Sequence, residues 1–236
     1  MKKIQMVDLQ SQYYKIKADV DNAVLNVLDS AAFINGPEVK SFQNELEQYL
    51  DVKHVIPCAN GTDALQIALM ALDLKEGDEV ITADFTFAAT VEVIHLLKLK
   101  SVLVDVNYDT FTIDPEKVKA AITPRTKAII PVHLFGQCAN MEEILKIAKE
   151  HNLAVIEDNA QAIGAYFTFA DGTVKKSGTM GVMGTTSFFP SKNLGCYGDG
   201  GAIFTNDDEL AHKLRGIVNH GMYERYYHDE VGVNSR

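Results

Sequence analysis

Short apolar segments alternate with segments of helical spacing from His54 onward, and this alternation restricts the fold more than any other feature of the chain. The apolar segments are short and rich in β-branched residues, which is typical of buried strands; they cover residues 55–57, 79–82, 102–105, 128–132 and 154–158. Helical patterns follow them at residues 61–72, 87–97, from Asp114 onward, and at 141–151. Strands alternating with helices indicate βαβ units. The sequence therefore predicts an α/β fold, a mostly parallel sheet flanked by helices on both faces.

Three further segments complete the predicted organisation. Apolar residues at helical spacing predict two amphipathic helices before the first strand. The first covers about residues 11–29, and the second follows a break at residues 31–37 and runs through Phe42, Leu46, Tyr49 and Leu50. Residues 166–184 are polar and glycine-rich, so they predict an excursion or hairpin. A last helix is expected near residues 207–218. No internal repeat or linker divides the chain, which predicts one large domain over residues 1–236 that includes the N-terminal helical segment.

Lys192 stands out because it follows one predicted strand, residues 185–189, and is separated from the next, residues 202–205, by a glycine-rich turn. This placement predicts a lysine on a tight connection inside a buried sheet. Burying an ammonium group is costly and is relieved by a covalent partner or by loss of the proton. Lysines of this kind commonly bond to a carbonyl cofactor, most often pyridoxal phosphate. The alternative interpretation of Lys192 is an exposed lysine on a hairpin, which is the more common setting for a lysine taken without its flanking sequence.

Three other predicted strands also end in residues suited to ligand binding, and ligands of open α/β sheets lie at these strand ends. Residues 61–63, Gly-Thr-Asp, begin a helix whose free N–H groups suit a phosphate, although an ordinary helix cap is the alternative. The Phe87 ring is placed to stack on a planar cofactor, although a core position is more common for a single aromatic residue. Asp158 ends an apolar strand and needs a partner such as a pyridinium nitrogen; a helix cap is an equally weighted alternative.

Composition excludes several classes of function. The 236 residues carry a formal net charge of −10 and no basic cluster, so nucleic acid is not an expected partner. The three cysteines are far apart and the seven histidines form no paired motif, so neither a disulfide framework nor a metal site is expected. No secretory leader or membrane-spanning apolar run is present, which predicts a cytoplasmic protein without a membrane partner.

Three motifs together resemble one known family. Residues 60–65 (Asn-Gly-Thr-Asp-Ala-Leu), 157–161 (Glu-Asp-Asn-Ala-Gln) and 187–201 around Lys192 are similar, in order and spacing, to the DegT/DnrJ/EryC1/StrS family. That family consists of pyridoxal-phosphate sugar aminotransferases of the aspartate-aminotransferase fold, fold type I. The resemblance extends over residues 5–236 and implies the same fold and cofactor here.

The resemblance also implies roles in the chemistry. Lys192 would hold the cofactor covalently and then move a proton between the substrate carbon and the cofactor carbon. Asp158 would pair with the pyridinium nitrogen, so that the ring remains an electron sink. Gln161 would contact the phenolic oxygen of the cofactor, and Phe87 would stack on its ring.

The remaining implied roles concern the phosphate and the substrate. Thr62, the backbone of Asp63, and Ser187 would bind the cofactor phosphate. Asn234 would reach from the partner subunit of a homodimer to complete that phosphate site. Ser191 and Arg236 match positions that meet the nucleotide-sugar substrate in relatives.

The family also suggests a substrate and a missing part. The sequence is most similar to enzymes that aminate a UDP-linked 3-keto sugar, especially the 2-acetamido-3-oxo-glucuronate of surface-polysaccharide synthesis, with L-glutamate as donor. This similarity is carried by residues 58–67, 122–132, 136–139 and 187–208.

In relatives, the segment that matches residues 231–236 is followed by a long helix and a smaller C-terminal domain. We therefore expect that the domain is absent here and that the chain is truncated.

Two alternatives remain open. A sugar dehydratase on the same scaffold would typically have histidine in place of Lys192, which favours transamination. A catalytically silent or regulatory fragment of the same fold is the second alternative. A nicotinamide dehydrogenase is less well supported, because no G-x-G-x-x-G motif follows a predicted strand.

Overall fold

The computed structural model describes residues 4–236. Its helices are α1 (Leu9–Ser30), α2 (Pro37–Leu50), α3 (Gly61–Ala71), α4 (Ala88–Leu96), α5 (Pro115–Ala121), α6 (Met141–His151) and α7 (Asp208–Ile217). Its strands are β1 (His54–Cys58), β2 (Glu79–Ala83), β3 (Lys100–Val104), β4 (Thr126–Ile130), β5 (Ala154–Asp158), β6 (Tyr166–Thr168), β7 (Val174–Lys176), β8 (Met183–Ser187), β9 (Gly201–Thr205), β10 (Met222–Glu224) and β11 (Tyr227–His228).

Seven strands form one sheet in the order β1-β9-β8-β5-β4-β2-β3. The neighbours from β8 through β5, β4 and β2 to β3 pair in parallel. Strand β9 is antiparallel to both β1 and β8. The predicted α/β fold with a mostly parallel sheet is confirmed.

Both faces of the sheet are covered by apolar side chains, which explains why its strands are almost continuously apolar. Along β2, Val80 packs into a core formed with α3, α4 and α7, whereas Ile81 packs into a second core formed with α5 and α6. Successive side chains of a strand point to opposite faces, so a strand covered on both sides needs apolar residues at every position. A third cluster joins α2 to the β1 and β9 side of the sheet through Leu46, Leu50 and Phe204.

Polar side chains determine where several helices begin. Asn60, Asp114, Asn140 and Asp207 each precede a helix and accept a hydrogen bond from a backbone N–H of its first turn. These N–H groups have no partner inside the helix, so short polar residues are favoured there. This local signal accounts for the agreement between predicted and observed starts of α5 and α6.

Glu79 anchors the amino-terminal edge of the sheet. Its side chain is buried and accepts hydrogen bonds from Thr123 Oγ1 at 2.5 Å, Arg125 Nη2 at 2.7 Å and Lys100 Nζ at 3.2 Å. The Thr123 hydroxyl, followed by the Arg125 guanidinium, lowers the pKa of Glu79 to about 2. The carboxylate therefore joins β2 to β3 and to the start of β4.

One expectation about local structure is wrong. The strand placed at residues 185–189 is β8, which begins and ends two residues earlier, at Met183 and Ser187. Helix α1 forms over the predicted segment and has apolar spacing, but no residue of α1 is buried and Tyr14 is 69% exposed. Helical spacing guarantees an apolar face but not a neighbour to cover it, and no described element makes extensive contact with α1. The predicted excursion at residues 166–184 contains the β6–β7 hairpin.

Within residues 4–236, no helix is both long enough and apolar enough to cross a lipid bilayer.

Candidate active site

A cavity of about 630 Å³ opens at the carboxyl ends of the parallel strands. Eight of the ten site residues expected from the sequence line it: Thr62, Asp63, Phe87, Asp158, Gln161, Ser187, Ser191 and Lys192. Parallel strands bring their carboxyl ends to one edge of the sheet, so residues far apart in sequence converge there. The other two expected residues, Asn234 and Arg236, do not line the cavity.

The N-terminus of α3 forms one end of the cavity and is suited to an anion. Asn60 Oδ1 accepts the Asp63 N–H at 2.8 Å, while the N–H groups of Gly61 and Thr62 have no acceptor among the described residues. Ser187 adds a hydroxyl beside them, because a Cβ atom on Gly61 would lie 2.6 Å from Ser187 Cβ. Two free amides, a hydroxyl and the positive end of the helix dipole together make a site suited to an anion such as phosphate.

Asp158 lies at the middle of the sheet edge and is 5% exposed. Its carboxylate accepts a hydrogen bond from Thr90 Oγ1 at 2.8 Å and one from the Ala160 N–H at 3.2 Å. Burial raises the pKa of Asp158, and the hydrogen bonds and the positive charge of Lys192 oppose that rise. Turns, and not a helix, occupy residues 160–164, so the helix-cap alternative for Asp158 is wrong.

The Thr90 hydroxyl is itself oriented by a second hydroxyl. Thr86 Oγ1 and Thr90 Oγ1 are 2.8 Å apart, and Thr90 gives its proton to Asp158. Thr86 is therefore the donor to Thr90, which makes a chain of hydrogen bonds from Thr86 through Thr90 to the carboxylate. These two hydrogen bonds hold the Asp158 side chain against the N-terminal end of α4.

The neighbouring Glu157 holds the end of β5 from the opposite face of the sheet. It is fully buried and accepts hydrogen bonds from His133 Nε2 at 2.8 Å and from the N–H groups of Gly178, Met180 and Gly181. His133 Nδ1 accepts the Ala139 N–H at 3.1 Å, so Nδ1 carries no proton in this bond. The ring proton is therefore on Nε2, which donates it to Glu157. These bonds make a rigid support directly behind Asp158.

Lys192 lies in the cavity but not in the buried setting that the sequence predicted. It belongs to the long connection at residues 188–200 between β8 and β9, and its side chain is only partly buried. The prediction of a tight turn inside the sheet is wrong because the connection leaves the sheet after Ser187 and folds over the cavity opening. Lys192 contributes a positive charge that is felt at Asp158 across the cavity.

The remaining expected residues occupy the cavity rim. Phe87 precedes α4 and is 71% exposed, so it is a rim residue and not a core residue. Gln161 Oε1 accepts the Phe135 N–H at 3.2 Å, which orients the side-chain amide. Ser191 is exposed next to Lys192.

Asn234 and Arg236 lie on the outer surface of the C-terminal segment. Both are exposed, and Arg236 Nη1 donates to Asn234 Oδ1 at 2.7 Å. Asn234 makes an isolated bridge with Asn219, which keeps this segment against the end of α7. Their implied roles toward a partner subunit and a substrate stay predictions.

Four residues with polar side chains line the same cavity but were not among the site residues expected from the sequence: Asn60, Thr86, Thr90 and Asp199. Asn60 had a recognisable signal, since Asn directly before a helical pattern is a common N-cap. Thr86 and Thr90 are four residues apart at a helix start, but only the three-dimensional structure places them on Asp158. Within residues 4–236 no group of three or more potential metal ligands occurs.

The fold and this cavity define an α/β protein with a lysine and a buried carboxylate facing an anion site at the carboxyl edge of the sheet. The chain belongs to the DegT/DnrJ/EryC1/StrS aminotransferase family, whose model matches residues 14–236. The family expected from the three motifs is confirmed.

Individual relatives are similar over nearly the whole chain. A UDP-2-acetamido-2-deoxy-3-oxo-D-glucuronate aminotransferase of Pseudomonas aeruginosa is 51% identical over 99% of this chain and 64% of its own length. A pleiotropic regulatory protein of Geobacillus stearothermophilus is 51% identical over 99% of this chain and 61% of its own length. The chain thus spans less than two thirds of the length of these relatives.

A solved structure shows the same fold with a cofactor. The ntda protein of Bacillus subtilis, determined with bound cofactor PMP, superposes with a TM-score of 0.91 at 35% identity, covering 100% of this chain and 53% of that protein. The α/β fold of the aspartate-aminotransferase type that the sequence predicted is therefore shared with a cofactor-binding relative.

Proposed function

We propose that this protein, as part of its full-length form, is a pyridoxal-phosphate-dependent aminotransferase that transfers the amino group of L-glutamate to a keto nucleotide-sugar. One observation carries the proposal: Lys192, the buried Asp158 and the free amides of Gly61 and Thr62 face a single cavity. Family membership and the named activity of the Pseudomonas aeruginosa relative support the same reaction.

The cavity residues fit pyridoxal phosphate. Its phosphate needs an anion site, which the α3 N-terminus and Ser187 provide, and a Cβ atom on Gly61 would fill that space. Its protonated ring nitrogen needs a carboxylate, and Asp158 is a buried one whose pKa is raised by loss of solvent. The positive charge of that ring nitrogen would stabilise the ionised carboxylate of Asp158, which has lost the stabilisation that water provides. The cofactor expected from the motifs is thus matched at both ends of the cavity.

When bound, pyridoxal phosphate supplies a ring that withdraws electrons from the reacting carbon. Lys192 Nζ would hold the cofactor covalently in the resting protein and, as the base of the site, would carry a proton to and from the reacting carbon of the substrate. The Asp158 carboxylate would pair with the ring nitrogen and favour its protonated form, and Thr90 orients that carboxylate.

Other residues bind and orient without taking part in proton transfer. Thr62 and Ser187 would bind the phosphate. The Asp63 N–H, to which the resemblance gives the same role, already donates to Asn60 Oδ1 at 2.8 Å, so the free Gly61 N–H would take its place. Phe87 would cover one face of the ring, and the side-chain amide of Gln161 would contact the phenolic oxygen. Ser191 and Arg236 contact the nucleotide-sugar, and Asn234 reaches the phosphate site of a partner subunit.

The proposed acceptor is a UDP-linked 3-keto sugar used in surface-polysaccharide synthesis, including lipopolysaccharide. The proposal includes a homodimer and a cytoplasmic location. The dehydratase alternative is less well supported because Lys192 retains the amine that transamination requires. The silent or regulatory alternative finds a parallel in the name of the Geobacillus stearothermophilus relative, and an assay of turnover separates the two.

The test uses the full-length protein with L-glutamate and a panel of UDP- and dTDP-linked 3-keto and 4-keto sugars. We expect 2-oxoglutarate and an amino sugar in equal amounts, greatest with a UDP-linked 3-keto sugar. Borohydride reduction should fix the cofactor to the peptide that contains Lys192. Lys192→Ala should abolish both results, whereas Lys175→Ala, at an exposed lysine outside the cavity, should change neither.

Three outcomes would contradict the proposal. Loss of water from the sugar without 2-oxoglutarate would indicate a dehydratase. Binding of the cofactor without turnover of any sugar would indicate a regulatory protein. Preference for a dTDP-linked 4-keto sugar would retain the aminotransferase and reject the proposed acceptor.

A further inference from the structure

The C-terminal segment, residues 232–236, packs against the first turn of the helix that forms the anion site. Ser235 in this segment is fully buried. Its hydroxyl donates to Asp63 Oδ2 at 2.6 Å and accepts the Ala59 N–H at 3.0 Å. Ser235 therefore joins the loop before α3 to the first turn of α3, although 172 residues separate it from Asp63.

The backbone of the segment holds the Ser235 hydroxyl at a fixed point. The Ser235 N–H donates to Val218 O at 3.0 Å, and the Val233 N–H donates to Ile217 O at 2.8 Å. Both acceptors lie at the C-terminal end of α7, which belongs to the main apolar core. The Ser235 hydroxyl is thus held next to Asp63 by backbone bonds to the end of α7, which is well packed.

The orientation of Asp63 matters because of its position in the helix. Asn60 and Asp63 have the N-cap and N3 spacing of a capping box, in which the N3 side chain turns back and accepts a hydrogen bond from the backbone N–H of the N-cap residue. Asn60 makes its half of that motif at 2.8 Å. Among the described residues, the Asp63 carboxylate does not make the reciprocal bond to the Asn60 N–H and instead accepts from Ser235.

A carboxylate turned back to its own helix would compete with a bound phosphate. It would place a negative charge at the N-terminus of α3, beside the free Gly61 and Thr62 amides and therefore beside a bound phosphate dianion. The bond to Ser235 removes this effect, because it gives the carboxylate a partner away from those amides.

We propose that Ser235 is a positioning residue of the phosphate site: by binding the Asp63 carboxylate, it keeps a competing negative charge away from the N-terminal amides of α3, where the cofactor phosphate binds. The assignment rests on the proposed function for the identity of the ligand. It makes the C-terminal segment part of the phosphate site of its own chain.

The experiment compares two ligands that differ only in the phosphate. Cofactor affinity is measured for pyridoxal phosphate and for pyridoxal in the full-length protein, and thermal stabilisation by inorganic phosphate is measured in the cofactor-free protein. Ser235→Ala should weaken pyridoxal phosphate binding about tenfold or more, the equivalent of one hydrogen bond, and should leave pyridoxal binding within about twofold. Stabilisation by inorganic phosphate should fall in parallel.

A second substitution tests the cause. In the Ser235→Ala background, Asp63→Asn removes the competing charge and should restore most of the lost phosphate affinity. Ser177→Ala is the matched control, because the Ser177 hydroxyl is equally buried and donates to Ala162 O at 2.6 Å outside the cavity. This control should lower thermal stability without changing the ratio of pyridoxal phosphate to pyridoxal affinity.

Equal weakening of both ligands by Ser235→Ala, or no recovery with Asp63→Asn, would overturn the inference and assign Ser235 a purely structural role. If Lys192 captures the cofactor but Ser235→Ala changes no affinity, this inference fails and the proposed function stands. If Lys192 captures no cofactor, the proposed function fails, and the inorganic phosphate measurement still decides the role of Ser235.

Discussion

Replacing Asp158 with asparagine should stabilise the cofactor-free protein while weakening its hold on the cofactor. The carboxylate is 5% exposed and has two hydrogen-bond donors, Thr90 and Ala160. Removing a carboxylate from water carries an effective penalty of several kcal/mol, of which hydrogen bonds to charge return about 1.5–3 kcal/mol each. Asparagine is nearly the same size, can still hydrogen-bond to both groups and has no charge to desolvate.

We expect the free energy of unfolding to rise by about 1–2 kcal/mol at neutral pH. This is the part of the cost of burying the carboxylate that its two hydrogen bonds do not offset. For a chain of this size, that gain corresponds to an increase in Tm of about 2–8 °C. The pH dependence has a definite sign. Burial raises the pKa of Asp158 above its ordinary 3.8. The contribution of Asp158 to the stability of the wild-type protein is therefore fully present below pH 3.8, and it is lost as the pH rises through the pKa of the folded state.

The assay is thermal unfolding of the cofactor-free proteins across a pH series. The advantage of Asp158→Asn should be absent near pH 3.8, grow as the pH rises and then level off. Asp199→Asn is the control, since it removes the same charge from an exposed position in the same cavity and should shift stability by less than about 0.5 kcal/mol. An advantage that is independent of pH, or a lower Tm at neutral pH, would refute the reasoning.

The same substitution should reduce catalysis, which gives a second and opposite readout. Without a carboxylate the ring nitrogen has no partner for its proton, so turnover should fall by several powers of ten at about 1.4 kcal/mol per decade. Near-normal turnover in a protein of increased stability would mean that Asp158 is a buried structural residue only.

Three further changes test separate parts of the site and the sheet. Gly61→Ala places a Cβ atom 2.6 Å from Ser187 Cβ, so titration should show pyridoxal phosphate affinity reduced about tenfold or more. Thr90→Val removes the 2.8 Å donor to Asp158 and should destabilise the cofactor-free protein by about 1.5–3 kcal/mol in urea when the carboxylate is ionised. Glu79→Gln should lower stability at neutral pH; because the pKa of Glu79 is lowered to about 2 by a hydroxyl and two cationic side chains, this difference should close as the pH falls from 4.5 through about 2.

Matched variants control these experiments. Gly198→Ala adds the same atom where nothing lies within 4 Å, and it should leave cofactor affinity unchanged. Thr90→Ser retains the hydroxyl and should recover most of the lost stability. A Glu79→Gln difference that persists unchanged to pH 2 would mean that the pairs with Thr123, Arg125 and Lys100 contribute no charge-dependent stability.

Local patterns in the sequence were sufficient for most of the fold. The bounds of β5 and α6 agree with the apolar runs and cap residues that predicted them, because both signals act between residues close in sequence. The parallel sheet followed from the alternation of strands and helices, since parallel strands need helical crossovers between them. Family membership followed from three short motifs.

The predicted site could be assembled only in part. The rule that ligands lie at strand carboxyl ends was enough to group Asp158, Ser187 and the residues after β1 around one cavity. It was not enough to show that Lys192 leaves the sheet, because a glycine-rich connection does not reveal its own path. Nor could helical spacing show that the apolar face of α1 is uncovered, since burial depends on neighbours.

The sequence by itself determined the elements, their order and the chemical types of the cavity residues, because backbone preference and apolar spacing are local properties. Only the tertiary structure decided which polar groups meet. The contacts of Thr90 with Asp158 and of Ser235 with Asp63 join residues 68 and 172 positions apart. Serine and threonine are neutral and common, so no composition or spacing marks such a residue as a partner. A buried carboxylate selects its donor by distance and direction, and these exist only after the chain has folded.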